Sequence, residues 1–342
     1  MNEVLSHSSR QQVTVPARPA VILLVCFTGA LTAAQDQLLT ESSLHKLGID
    51  KGIIVVANDP DCELAIRLAN SSDVLVYVHT GTEARRRIAC QAADAAGLYG
   101  KRIYVGFNRN GRIPLANDIA DGFTAGEGPI GLSRTEVLRV IRPGAKALFG
   151  EEVVTKPIPD GLDDWSHHYH GPDNNPQSKD QIAQAPFLTQ FIGIPRYSAI
   201  PQMTVASAGR IFMAFGHVAW KERAEPWLNT LVAVNGYNGT ILWKRQLRSG
   251  LMIDRSTMIA TPEILYLADH EACQRIDTTT GRLIDRISLP IGLTGGTFWK
   301  WMALENDVLY ALIGEQETPD RVERWRRTIG GWPWGRISDG FN

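Results

Sequence analysis

Two stretches of this chain repeat one another, and their spacing limits the folds open to its second half. Leu231–Trp243 reads as a short apolar strand, an Asn-Gly turn and a second apolar strand. Cys273–Asp285 reads the same way around a Thr-Gly turn. Gly239 and Gly281 stand 42 residues apart, and Asn235 and Asp277 share that offset. Ile264–Tyr266 and Val308–Tyr310 form a companion repeat 44 residues apart, with Arg210–Met213 as an earlier copy. A glycine in each turn accepts positive φ, so each unit predicts a hairpin. A period of about 40–45 residues with four short strands per unit is the pattern of β-propeller blades. One blade cannot bury both faces of its sheet, so blades must stack around an axis. Two blades and the start of a third are readable, whereas propellers close with about four to eight. The count predicts incomplete β-propeller blades, hence a piece of a longer protein or a truncated gene product. Completion of a ring by oligomerisation is the alternative.

Val232–Trp243, with its apolar strand, Asn-Gly turn and Leu-Trp ending, resembles the pyrroloquinoline-quinone-type repeat of quinoprotein-like propellers. The second copy has Asp285 where the first has Trp243 and matches less closely. The resemblance implies a fold more than an activity, because many such propellers bind no quinone and serve as scaffolds. Phe298, Trp301, Trp325, Trp332 and Trp334 fit either a flat ligand such as pyrroloquinoline quinone (PQQ) or packing between blades. A quinone dehydrogenase would also need Ca²⁺-binding acids near the axis, and no such cluster is visible.

The first half alternates differently. Gly52–Ala57, Val74–Val78, Ile103–Phe107 and Lys146–Phe149 read as strands. Cys62–Asn70 and Glu83–Ala96 read as helices, the second with Ile88, Ala92 and Ala96 along one side. Ser133, followed by Glu136, predicts a capping box for a further helix that ends at Arg142-Pro143-Gly144. Strands separated by helices predict a parallel, Rossmann-like α/β sheet.

Ile113–Asp121 and Glu136–Gly144 resemble the second half of a class I S-adenosylmethionine (SAM)-dependent methyltransferase. The resemblance implies a glycine-rich cofactor loop after the first strand and an acid ending the second. Here the loop is Ala57–Cys62, without glycine, and Pro60 lacks an N–H altogether. His79-Thr80 stand where the acid belongs, with Glu83 a turn further on. Asp59, Asp61 and Glu83 are the candidate cofactor-binding residues of an eroded pocket, with solvated loop acids the alternative reading of the two aspartates. No catalytic residue is assigned.

Between the halves, Asp163–Pro176 carries His167, His168 and His170. If extended, this stretch places His168 and His170 on one face, and with Asp173 they are candidate metal ligands. The alternative is a first propeller strand with Trp165 packed. The stretch resembles one that opens propellers in exported multidomain proteins of planctomycete type, where a methyltransferase-like domain precedes quinoprotein-like repeats.

The N-terminus has a basic region with Arg10 and Arg18, an apolar run over Ala20–Leu31 and small residues to Ala34. That order predicts a secretory signal peptide over 1–34, with an uncleaved anchor or a buried helix as alternatives. The run is short for a membrane span. Cys62, Cys90 and Cys273 would remain after cleavage, and a Cys62–Cys90 pair is compatible with the spacing. A net charge of −1 and a pI of about 6.7 exclude the basic face of a nucleic-acid binder.

The predicted organisation is a signal peptide over 1–34, a methyltransferase-like Rossmann domain over 37–155, a linker and propeller lead-in over 156–200, and partial blades over 201–342. The expected function is a non-catalytic, exported, periplasmic or extracellular scaffold or binding protein with a protein or cell-envelope partner and no assigned cofactor. A PQQ-dependent oxidoreductase-like protein or a residual SAM-dependent methyltransferase is the alternative.

Overall fold

The computed structural model describes residues 43–126, 128, 130–183, 185–186, 189–194, 199–219, 226–247, 256–269, 271–290, 292, 295–315 and 336–337. The predicted signal segment, Cys26, Trp325, Trp332 and Trp334 lie outside them. Among the described residues, no helix is long and apolar enough to cross a membrane.

The first half is one six-stranded sheet. Its strands are β1 (Lys51–Ala57), β2 (Asp73–Thr80), β3 (Ile103–Phe107), β4 (Ala120–Ala125), β5 (Ile141–Phe149) and β6 (Glu152–Thr155). They lie in the order β3-β2-β1-β4-β5-β6; the first four pairings are parallel and β6 runs antiparallel to β5. The helices are α1 (Glu63–Ser71), α2 (Glu83–Ala95) and α3 (Arg134–Val140). β1 is a continuous apolar run because both faces of the sheet are covered. Ile54 and Val56 pack with Leu68 of α1 and Ala89 and Ala93 of α2. Val55 and Ala57, on the opposite face, pack with Phe123, Val137 and Ile141.

The structure adds one local element and corrects two local expectations. β4, sequence ADGFTA, has poor strand propensity, and only the resemblance of Ile113–Asp121, which implies a strand following it, points to one. It forms because Phe123 is fully buried and Gly122 admits Ile49, whose Cδ1 would lie 2.5 Å from a Cβ there. Strand propensity of this kind is set by packing. β5 begins at Ile141, so Arg142-Pro143-Gly144 lies inside the strand rather than ending the helix; a register shift and Gly144 at φ 76° absorb the irregularity. α2 buries Ala89 and Ala93 and leaves Ile88 47% exposed. In so alanine-rich a helix, periodicity points only weakly to one face. Cys62 and Cys90 are free thiols.

The second half is antiparallel β-structure. β7 (Ala199–Ser207), β8 (Arg210–Ala219), β9 (Thr230–Asn235) and β10 (Ile241–Gln246) form one meander. β11 (Met258–Ala260), β12 (Ile264–Ala268), β13 (Ala272–Asp277) and β14 (Leu283–Ser288) form a second. β15 (Phe298–Glu305) and β16 (Val308–Gly314) form a ladder of two. The sequence repeats fall at equivalent places, with β9–β10 and β13–β14 as the hairpins and β8, β12 and β16 as second strands. The sheets stack face to face. Phe212, Leu231 and Trp243 meet Met258, Leu265 and Ile276 in one core. Ile259 and Cys273 meet Trp299 and Met302 in the next.

Trp243 explains why its residue type stands at the end of a hairpin. Its Nε1 donates to the Thr278 carbonyl at 2.9 Å, and its ring lies over Gly281, where a Cβ would come within 2.6 Å. Gly281 therefore serves twice, at φ 72° for the turn and as a seat for the indole.

The lead-in Asp164–His167 ties the sheets together. Asp164 accepts from the Ser207 hydroxyl at 2.7 Å and the Ala208 N–H at 3.0 Å. Trp165 exchanges two backbone hydrogen bonds with Ala206 of β7. The Ser166 carbonyl accepts from Ala260 of β11, and His167 Nε2 accepts the Leu304 N–H of β15 at 3.0 Å. Four consecutive residues thus reach three sheets.

Candidate functional site

In an open parallel sheet, ligands sit beyond the carboxyl ends of the strands, where the strand order reverses. That point lies here between β1 and β4, and a cavity of about 200 Å³ opens there. It is lined from the ends of β1 (Asn58, Asp59, Pro60), β2 (His79, Thr80) and β3 (Asn108, Arg109), from Arg85 of α2, and from Ile130 and Gly131 after β4.

The loop after β1 places Asp59 in this lining but commits its carboxylate to the first turn of α1. Asp59 is 7% exposed and accepts from the backbone N–H groups of Ala65 at 2.9 Å and Leu64 at 3.3 Å. Its carboxylate caps the first turn of α1, where Cys62, the residue before the helix, offers no side-chain cap. Burial pushes its pKa above the usual aspartate value, partly opposed by those two hydrogen bonds. The reading of Asp59 as a solvated loop acid is corrected: it is a buried helix cap. Asp61 is exposed and does not line the cavity. Glu83 is also off the lining and is held by Arg86 through two bonds of 2.6 and 2.7 Å, which lower its pKa.

Beside Asp59, the lining carries groups of the opposite character. Arg85 extends from the first turn of α2, and its Nη1 approaches Asn58 Oδ1 at 3.4 Å. Arg109 leaves β3 with its guanidinium 5.9 Å from the Phe107 ring. His79 ends β2, is 5% exposed, and its Nδ1 is buried without a hydrogen-bond partner. Burial lowers the pKa of this imidazole, with Glu136 acting against it. In the sequence His79 stands in place of an acid, Arg85 reads as part of a solvated basic helix face, Arg85-Arg86-Arg87, and Arg109 carries no assignment. Their positions at strand and helix ends facing the switch point were the available signal.

The histidine cluster is dispersed. His167 N donates to the His170 carbonyl, closing a tight turn with His170 at φ 70°. This turn replaces the expected extended face. His170 Nε2 pairs with Asp163 Oδ2 at 2.7 Å, His168 sits edge-on to Tyr169, and Asp173 is exposed in the following loop. His168, His170 and Asp173 are not brought together. Among the described residues, no group of three or more His, Cys, Asp or Glu could hold a metal ion.

A parallel sheet ordered in this way, with a cavity at its switch point, defines a Rossmann-type α/β domain; antiparallel sheets follow it. No family model and no curated protein matches the chain. Among solved structures it is similar to a putative S-adenosyl-L-methionine-dependent methyltransferase from Methanococcus maripaludis, at 18% identity and TM-score 0.32, covering 40% of this chain and 66% of that one. It is also similar to the [4+2]-cyclase SpnF, at 20% identity and TM-score 0.30, covering 32% and 43%. A third is geranyl diphosphate C-methyltransferase from Streptomyces coelicolor A3(2), at 13% identity and TM-score 0.30, covering 35% and 45%. The chain thus spans 43 to 66% of the length of these proteins. At such scores the Rossmann assignment rests on strand order and register.

The lining departs from the acidic pattern expected around S-adenosylmethionine. That cofactor presents a sulfonium cation and ribose hydroxyls, for which an acidic residue would serve, and a carboxylate, for which a cationic donor would. Arg85 and Arg109 place cationic donors here, and the carboxylate of Asp59 is taken up by α1.

Proposed function

We propose that this is a non-catalytic scaffold or binding protein, in which a methyltransferase-like domain has left methyl transfer and is carried on propeller-type blades of the quinoprotein kind. The observation that carries this reading is the commitment of Asp59 to α1. The acid nearest the position of a cofactor contact caps α1 with both oxygens. The mismatch of charge around it supports the same reading, and the two four-stranded meanders support the propeller part. The protein is exported and acts on a protein or cell-envelope partner; the composition of residues 1–34 supports export. Isothermal titration of the full chain tests this. S-adenosylmethionine, S-adenosylhomocysteine and PQQ with Ca²⁺ are each expected to give no binding heat at millimolar ligand. Micromolar binding of any of them overturns the proposal.

A further inference from the structure

We infer that the switch-point cavity binds a small phosphomonoester, of the size of a sugar phosphate, through Arg85, Arg109 and His79. The inference rests on the reading above, that this pocket no longer serves S-adenosylmethionine, and it assigns the ligand class that the pocket now suits.

Arg86 is taken up by Glu83, whereas Arg85 and Arg109 form no ion pair among the described residues. Two guanidiniums on one small cavity are the donor set that recognises phosphate, since each offers a planar fork of N–H groups. They come from different elements, α2 and the loop after β3, so sheet packing holds them apart at a fixed spacing.

The second observation is independent of the arginines. His79 is buried on the cavity wall, and its Nδ1 has no protein partner. A buried polar atom without a partner costs about 1–3 kcal/mol, and native structures rarely keep one except where a ligand, water or ion completes it. A phosphate oxygen would supply the acceptor once the imidazole turns its Nδ1, now closed off from solvent, toward the cavity. α2 adds to this: it is 13 residues long, begins at the cavity after Gly81, and presents the positive end of its dipole.

The third constraint is size. At about 200 Å³ the space holds a phosphate and one sugar ring but not a dinucleotide. In Rossmann folds an arginine near the end of the second strand accommodates a ribose phosphate where an acid would take ribose hydroxyls. His79 and Arg85 stand at that end, so the absence of the acid becomes a preference for the phosphate.

The test is titration calorimetry of the full chain in phosphate-free buffer with ribose 5-phosphate, inorganic phosphate and unphosphorylated ribose. Ribose 5-phosphate should bind in the micromolar range, inorganic phosphate about tenfold or more weaker, and ribose without detectable heat. Arg85→Gln and Arg109→Gln should each weaken ribose 5-phosphate about tenfold, in line with loss of one charge-assisted pair. Melting temperature checks that both variants fold, and the ¹⁵N resonance of His79 Nδ1 should move on saturation of the wild-type chain. Absence of ribose 5-phosphate binding, or binding indifferent to both arginines, overturns the inference. If neither phosphate nor S-adenosylmethionine binds, the ligand assignment fails and the non-catalytic reading stands. If S-adenosylmethionine binds and phosphate does not, both fail.

Discussion

The carboxylate of Asp121, in the Rossmann-type sheet, accepts the side-chain amide of Asn235, in the first hairpin repeat, at 2.6 Å. Asp121 is 3% exposed and takes three further donors: Ile53 N–H at 2.9 Å, Arg142 Nε at 2.7 Å and Asn238 Nδ2 at 2.8 Å. A buried carboxylate is tolerated where its lone pairs are filled in this way. The contact also explains where the repeat breaks. Asn235 aligns with Asp277, whose carboxylate accepts from Thr279 and Thr280 in its own turn. Only the first repeat faces Asp121, and only there must the residue donate.

Asn235→Asp would place a second carboxylate against Asp121. Loss of the donor and like-charge repulsion should cost about 3 kcal/mol or more. Urea denaturation should show a lowered midpoint. Asp277→Asn, which keeps an acceptor in its turn, should stay within about 1 kcal/mol of wild type.

Acid should loosen the lead-in through His167. Its Nε2 accepts from Leu304 N–H, which leaves Nδ1 to donate to Ser166 Oγ at 2.8 Å. The Nε2 acceptor exists only on the neutral ring, so protonation breaks the bond to Leu304. Burial lowers its pKa to about 4 from the ordinary 6.5. The unfolded chain therefore takes up the proton first as pH falls. The stability is fully present above about pH 6.5 and is lost between there and about pH 4, to an upper limit on the order of 3 kcal/mol. Melting temperatures across that range should fall less steeply in His167→Gln than in the wild type.

The seat of Trp243 on Gly281 gives a sterically clean prediction. Gly281→Ala meets the indole at 2.6 Å and also forces a side chain onto φ 72°. The cost should exceed about 1 kcal/mol. Gly292→Ala, also at positive φ but with open space around it, should cost less. Comparing the two by thermal denaturation separates the packing penalty from the backbone penalty.

Much of the fold was legible where one local signal decided it. Val232–Trp243 and its copy marked their hairpins because turn glycines and alternating apolar strands act within a dozen residues. Ser133 was read correctly as a cap, and its hydroxyl accepts Glu136 N–H at 3.1 Å. The reciprocal half of that capping box is absent, since the Glu136 carboxylate holds Ile113 N–H and Arg139 instead. What the sequence concealed depends on distant partners. β4 is a strand because of Phe123 and Ile49. Arg85 and Arg109 are 24 positions apart and come to one cavity only through the fold of the sheet. Asp59 looked like a loop acid because its partners are backbone N–H groups, which have no sequence signature.

Asp59→Ala should cost about 1 kcal/mol through loss of the α1 cap, whereas Asp59→Asn, which keeps one of the two acceptors and removes a buried charge, should cost less. Chemical denaturation of the two variants measures the difference. A larger loss in the asparagine variant would mean that the charge itself is needed.

The most direct test of the account is carboxyl ¹³C NMR of Asp59 in the full chain, titrated with acid in the absence and presence of millimolar S-adenosylmethionine. The account predicts a midpoint above that of an ordinary aspartate, from burial against α1, and the same curve in both samples. A resonance that shifts with S-adenosylmethionine, or a midpoint displaced by it, would show the carboxylate engaged with the cofactor and contradict the loss of methyl-transfer chemistry.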